Sequence, residues 1–206
     1  MKIYFKIQQA FFCIAFVVFA ILTQSCHSAH KLSANAVADS SIVFEPDGLY
    51  ASTRIPALVI TPKGTLLAFC EGRIGTASDW ADMNFIVRRS TDGGKTWGPI
   101  QIIDSKKGGP AGNPAPIVDD KGNIHLLYQK DYAEAFYTYS DDDGLTWKKA
   151  ADITDVFNQF KSEYNWKVLA TGPGHGIQLK NGRLLSAVWL ANSSRLCQDA
   201  ATDLPA

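Results

Sequence analysis

The chain has 206 residues with 20 basic and 20 acidic side chains, so its formal net charge is zero. That balance excludes the basic footprint of a nucleic-acid-binding domain and the strongly charged composition of a disordered chain. Its 16 Gly, 9 Pro and 11% aromatics suit a turn-rich β protein, and 4 Cys are too few for a disulfide scaffold.

The chain opens with Lys2 and Lys6 ahead of an apolar run over residues 10–22. The run is shorter than the roughly 20 residues that span a bilayer and has the length of a signal-peptide core. Ser25-Cys26 follows, so residues 1–25 resemble a bacterial lipoprotein signal with Cys26 as the lipidated first residue. Ordinary cleavage near Ala29 and an uncleaved anchor are the alternatives, and all three export the protein. The expected location is a lipid anchorage at a bacterial outer membrane, or the periplasm or medium. Residues 26–45 are Ser/Ala-rich and aperiodic, and they read as a flexible tether. Further on, Cys70 lies in an apolar strand pattern and reads as a buried free thiol, with a Cys70–Cys197 bridge as the alternative.

From residue 46 to about 190 the chain repeats itself. Strand, turn, strand recurs over residues 57–69, 115–128 and 176–189, with turn glycines Gly64, Gly122 and Gly182 placed 58 and 60 positions apart. The pattern S-x-D-x-G-x-T-W occurs twice, as Ser90, Asp92, Gly94, Thr96, Trp97 and as Ser140, Asp142, Gly144, Thr146, Trp147, 50 positions apart. Asp accepts hydrogen bonds across a tight turn and Gly supplies a positive φ, so these are fold residues. The Thr and Trp are expected to start the outgoing strand, with the Trp packed under the turn. Further strands fit residues 84–89 and 136–140. Four short strands per unit at a period of about 50 residues predict an all-β propeller. The apolar spacing of residues 155–170 allows a short helix or an insertion packed on a blade.

The two boxes are those of the bacterial neuraminidase repeat, or Asp-box, family, which includes many non-enzymatic propellers. A more specific likeness lies in Thr53-Arg54-Ile55-Pro56-Ala57-Leu58, which resembles the Arg-Ile-Pro motif of exo-α-sialidases (neuraminidases). Residues 67–73, Ser78-Asp79-Trp80-Ala81-Asp82 and Val87-Arg88-Arg89 follow in the order seen in those enzymes, and Thr171 to Leu179 looks like the start of their third blade. The resemblance covers about residues 45–190 and is to the N-terminal portion of a bacterial exo-α-sialidase. It implies a six-bladed β-propeller, here only the first two to three blades. The implied activity is hydrolysis of terminal α-linked sialic acids from glycoproteins, glycolipids or oligosaccharides. Sialylated glycans are the implied partners, and no cofactor is implied.

Sialic acid carries a carboxylate on its anomeric carbon, and holding it calls for guanidinium groups. By the resemblance, Arg54 is the first of three such arginines. Arg73 matches an arginine at the pocket edge, with a structural partnership to Glu71 as the alternative. The leaving oxygen needs an acid on a partly enclosed loop. Asp79 matches the family's acid/base, and Asp82 competes. Asn113 resembles a residue of a loop that reaches the pocket. His175 reads as a loop residue, and Trp80 either stacks on sugar or packs on its loop. The family's nucleophile is a Tyr activated by a Glu, avoiding repulsion between two carboxylates. That pair and the other two arginines belong to later parts of the family's chain, and their motifs do not occur here. Glu163 and Tyr164 adjoin but lie in the insertion and read as structural; Arg183 is a turn residue, and Arg195 has no family context. No metal-ligand spacing is present.

A third box would place its Trp at about 207–215, and residues 191–206 show neither strand alternation nor a box. Six blades of about 50 residues need roughly 300. The expectation is a truncated sialidase, inactive alone, with a tail from a premature stop or frameshift. A non-catalytic, glycan-binding surface lipoprotein is the alternative.

Overall fold

The computed structural model describes residues 40–45 and 48–192. The expected export signal, Cys26, most of the expected tether, and residues 193–206 with Arg195 and Cys197 lie outside the described residues. Residues 40–45, the end of the tether, rest on the first sheet. Arg88 Nη1 donates to the Val43 carbonyl at 2.6 Å, and Phe44 packs on the cluster of Tyr50, Cys70 and Ile86.

Two four-stranded antiparallel sheets form the body. β1 (Tyr50–Ile60), β2 (Leu66–Ile74), β3 (Asp82–Ser90) and β4 (Gln101–Lys106) pair in chain order, as do β5 (Ala111–Val118), β6 (Ile124–Lys130), β7 (Glu134–Ser140) and β8 (Ala151–Asp152). This is the blade arrangement the repeat spacing predicts. The turns that open each unit are the same device. Thr61 N–H donates to the Thr65 carbonyl at 2.9 Å and Gly64 N–H to the Thr61 carbonyl at 2.8 Å, with Gly64 at φ 83°. Asp119 to Asn123 and Leu179 to Arg183 repeat both bonds.

The core lies between the sheets. Ala57, Leu67, Phe69, Phe85 and Val87 of the first meet Ile124, Leu126 and Tyr128 of the second. The period-2 alternation of each strand supplies one such face. Cys70 is a buried free thiol, and burial pushes its pKa up.

The third copy is one hairpin in two pieces. β9 (Val168–Thr171) pairs with β12 (Val188–Ala191), and β10 (Ile177–Gln178) with β11 (Leu184–Leu185). The sequence pattern predicts a continuous strand over 183–189, but the ladder breaks at Ser186–Ala187. Residues 172–176 bulge on the facing side, and Gly176 N–H donates instead to the Pro116 carbonyl of β5 at 2.9 Å. Between β8 and β9, α1 (Asp155–Asn158) and a 3-10 turn (Gln159–Ser162) meet the expectation of a short helix.

That interruption recurs in every unit. Register slips fall between Arg54 and Ala57 and between Gly112 and Ala115. At each slip a left-handed residue precedes a proline: Ile55 (φ 55°), Asn113 (φ 55°) and Gly172 (φ 66°). Proline cannot donate to a ladder, so a bulge is where a strand tolerates it.

The boxes match expectation at their turns. Asp92 and Asp142 each accept from the N–H of the Thr four residues on, at 3.0 and 2.9 Å, and Gly94 and Gly144 have φ 88° and 78°. One expectation is corrected: the Thr and Trp do not start the outgoing strands, which begin at Gln101 and Ala151. Each Thr is tied back to its Asp instead, through both N–H and hydroxyl. The Trp147 ring meets Phe69 of the preceding sheet edge-on, ring centres 5.8 Å apart.

Candidate active site

The bulge in β1 sets Arg54 opposite Glu71 of β2. Two residues along, on the same face of β2, stands Arg73. The loop from Gly75 to Ala81 then brings Asp79 back over the strand ends. Arg73 Nη1 is 2.6 Å from Asp79 Oδ1, and Arg54 Nη1 is 3.6 Å from the same oxygen. The two arginines differ sharply in exposure: the Arg73 side chain is 0% exposed and that of Arg54 is 54% exposed.

Arg73 is fully engaged. Its Nε and Nη2 donate to Glu71 Oε2 at 3.2 and 2.7 Å, and Nη1 also donates to the Ala77 carbonyl at 2.7 Å. Burial by itself pushes the Arg73 pKa down, but the Glu71 and Asp79 carboxylates outweigh it and the net direction is up. Glu71, buried with it, is pushed up: burial outweighs the lowering by Arg73 and by the Asn113 N–H.

That N–H carries the network into the second blade. Asn113 N–H donates to Glu71 Oε1 at 3.1 Å, and the Asn113 carbonyl accepts from Thr171 Oγ1 at 2.7 Å. Position 112 is glycine for a reason of space: a Cβ there would meet Glu71 Oε1 at 2.2 Å. Polar contacts thus run without a break from solvent-facing Arg54 through Asp79, Arg73 and Glu71 to the bulges of the next two units. Charged groups buried this way need every partner filled, and here they are filled across blades.

The residues singled out from sequence therefore separate. Arg54, Arg73, Asp79 and Asn113 are brought together, Asn113 through its main chain and with only 5% exposure. Asp82 accepts from Gly108 N–H at 2.7 Å, tying β3 to the loop after β4. Trp80 packs its ring on Tyr132 of the second blade. His175 lines a different groove with Leu58 to Pro62. Tyr164 is on the surface, donating its N–H to the Phe160 carbonyl at 2.8 Å. Among the described residues no three His, Cys, Asp or Glu side chains gather as a metal site. Sequence reasoning missed Thr171 and Tyr132. The signal for Thr171 was available: Ile55-Pro56, Asn113-Pro114 and Gly172-Pro173 are 58 and 59 positions apart, the period of the turn glycines.

The BNR repeat-like domain family matches residues 57–201. An exo-alpha-sialidase of Aspergillus fumigatus is 31% identical over 169 residues, covering 66% of this chain and 41% of that protein. Among solved structures, a Hadza microbial sialidase superposes with a TM-score of 0.60 at 28% identity, covering 70% of this chain and 33% of that one. A Trypanosoma rangeli sialidase in complex with sialic acid superposes at 0.57 over 74% of this chain, and at 21% identity that likeness shows the fold. The chain spans about two fifths of the length of the fungal relative.

Proposed function

The chain belongs to the BNR repeat-like domain family and carries blades of the sialidase propeller, and from that premise we propose that it is the acid-bearing part of an exo-α-sialidase. Arg54 takes the carboxylate of a terminal sialic acid, and Asp79 is the acid/base for the glycosidic oxygen. One observation carries the reading: Asp79 lies between a buried arginine and an exposed one. The buried Arg73 fixes the acid. The exposed Arg54 meets Asp79 at only 3.6 Å, and with its side chain 54% exposed it is open to a planar anion, which a guanidinium pairs with through two parallel hydrogen bonds. A sialoside seated on Arg54 sets its anomeric carbon, one bond from its carboxylate, beside Asp79. That is the placement proton transfer to the leaving oxygen needs.

Leaving-group chemistry tests it. Sialic acid release from a galactoside requires protonation of a poor leaving group, whereas an activated aryl sialoside leaves without help. In a propeller completed with the remaining sialidase blades, Asp79→Asn is expected to lower release from a sialylated galactoside by about 100-fold or more and from the aryl sialoside far less. Equal losses on both sink the acid role. Binding without release even when the remaining sialidase blades are supplied supports the second reading, a non-catalytic glycan-binding module. One observation favours that reading: the exposed Arg54 offers a sialic acid carboxylate a guanidinium partner that needs no acid chemistry to hold it. Under either reading Arg54→Ala weakens sialic acid binding at least tenfold, and unchanged binding overturns both.

A further inference from the structure

We propose that Tyr132 is a positioning residue for the acid loop, an inference that rests on Asp79 being the acid. The turn between β6 and β7 holds two successive non-glycine residues in the left-handed region, Asp131 (φ 55°) and Tyr132 (φ 51°). Each costs about 1–2 kcal/mol, and a bulky side chain there is a rare outlier. Such a conformation persists only where its surroundings over-determine it.

The surroundings do so. Asp131 N–H donates to the Pro110 carbonyl at 3.0 Å, and its carboxylate pairs with Lys106 at 3.0 Å. Tyr132 N–H donates to Oε1 of the buried Gln129 at 2.6 Å, and its carbonyl accepts from Leu169 N–H at 2.7 Å. Its side chain is 8% exposed and packs with Val168 and Ala170. Five contacts from three parts of the chain thus hold the two strained residues.

What this conformation delivers is a ring beneath the neighbour of Asp79. The Tyr132 ring meets Trp80 edge to face, ring centres 5.3 Å apart. Such a pair contributes about 0.5–1.5 kcal/mol beyond its buried area. On its own side the acid loop is shaped by short local bonds: Trp80 N–H to Ser78 Oγ at 3.1 Å and Ala81 N–H to the Ser78 carbonyl at 3.2 Å. Arg73 fixes the loop at Ala77 and Asp79 from the first blade. Tyr132 fixes it at Trp80 from the second. The acid's position is therefore set by how the two blades are mated.

Amide hydrogen exchange at Trp80 and Ala81 tests this with no sugar present, so the result stands apart from whether the chain cleaves a sialoside. Tyr132→Gly suits the left-handed backbone and removes the ring; both amides are expected to exchange at least tenfold faster while those of β2 and β6 are unchanged. Tyr132→Phe keeps the ring and should restore wild-type rates. Trp80→Ala removes the other partner at an exposed position without touching the strained turn, and it should free Ala81 to the same extent. Unchanged exchange at Ala81 in Tyr132→Gly and Trp80→Ala overturns the proposal, as does Tyr132→Phe behaving like Tyr132→Gly.

Discussion

The boxes at residues 90–97 and 140–147 share a pattern and an internal wiring, yet they reach different neighbours. In both, Ser donates to Asp at 2.8 Å and the Thr hydroxyl returns to the same Asp. They differ at the position before the box glycine. The first box has Gly93 (φ 75°), and the second has Asp143, held in the same left-handed region at φ 64°. The strain at Asp143 has a clear return. Its carboxylate accepts from Thr61 Oγ1 at 2.7 Å and Thr65 Oγ1 at 2.6 Å in the first turn of the preceding blade, and from Arg89 Nη2 at 2.9 Å. The fixed letters of the box build a turn, and the free letter fastens blade to blade.

The sharpest way to break the comparison is alanine at the box glycine. A Cβ on Gly144 would lie 2.3 Å from Leu67 Cδ2, whereas on Gly94 it lies 3.3 Å from Leu66 Cδ1. Both pay for a positive φ, but the second box is also overpacked against the shared core. Gly144→Ala is expected to cost about 3–4 kcal/mol in urea unfolding and Gly94→Ala about 1–2. Equal losses contradict the distinction. Next comes the clamp. Asp143→Gly turns the second box into the first at this position and relieves the backbone while taking the carboxylate from Thr61, Thr65 and Arg89 Nη2. A net loss of about 2 kcal/mol is expected, strongly non-additive with Arg89→Ala; additive losses refute the clamp.

The smallest effect is on pH. Burial alone would raise the Asp142 pKa, but bonds from Thr146, Ser140 and the Leu145 N–H outweigh it and hold it down to about 2. Asp92 is also held well below the usual carboxylate range, mainly by Thr96. Folded values below the unfolded one give stability that is present above about pH 4 and lost as pH falls through the folded values. Thr146→Val and Thr96→Val should each move the neighbouring Asp midpoint up, read by carboxyl NMR. An unmoved Asp92 shows that the Thr hydroxyl is not its anchor.

Much of the fold is written in local chemistry. Gly64, Gly122 and Gly182 mark turns because the backbone there demands them, and Ser, Asp, Gly and Thr of each box bond within eight residues. The site is less legible because its partners are distant. Arg54 and Asp79 are recognisable by motif, but the burial of Arg73 follows from Asn113 and Thr171, supplied by later units. Asp143 and Tyr132 sit where the pattern allows any residue, and only the mated blades reveal their work. Trp147 likewise has a partner the pattern does not reveal, Phe69 of the sheet before it.

Each of these long-range contacts joins a unit to the one before it. Asp143 closes on Thr61, Asn113 on Glu71, Thr171 on Asn113, and Tyr132 reaches back to Trp80. A ribosome releases the polypeptide from its N-terminus, so the first sheet emerges before the units that fasten its turn and its Gly75–Ala81 loop. Each later unit locks the one before it, as a ratchet advances tooth by tooth. A nascent chain whose first sheet has emerged ahead of the second holds those strands while Glu71 still lacks the Asn113 N–H and Trp80 still lacks the Tyr132 ring.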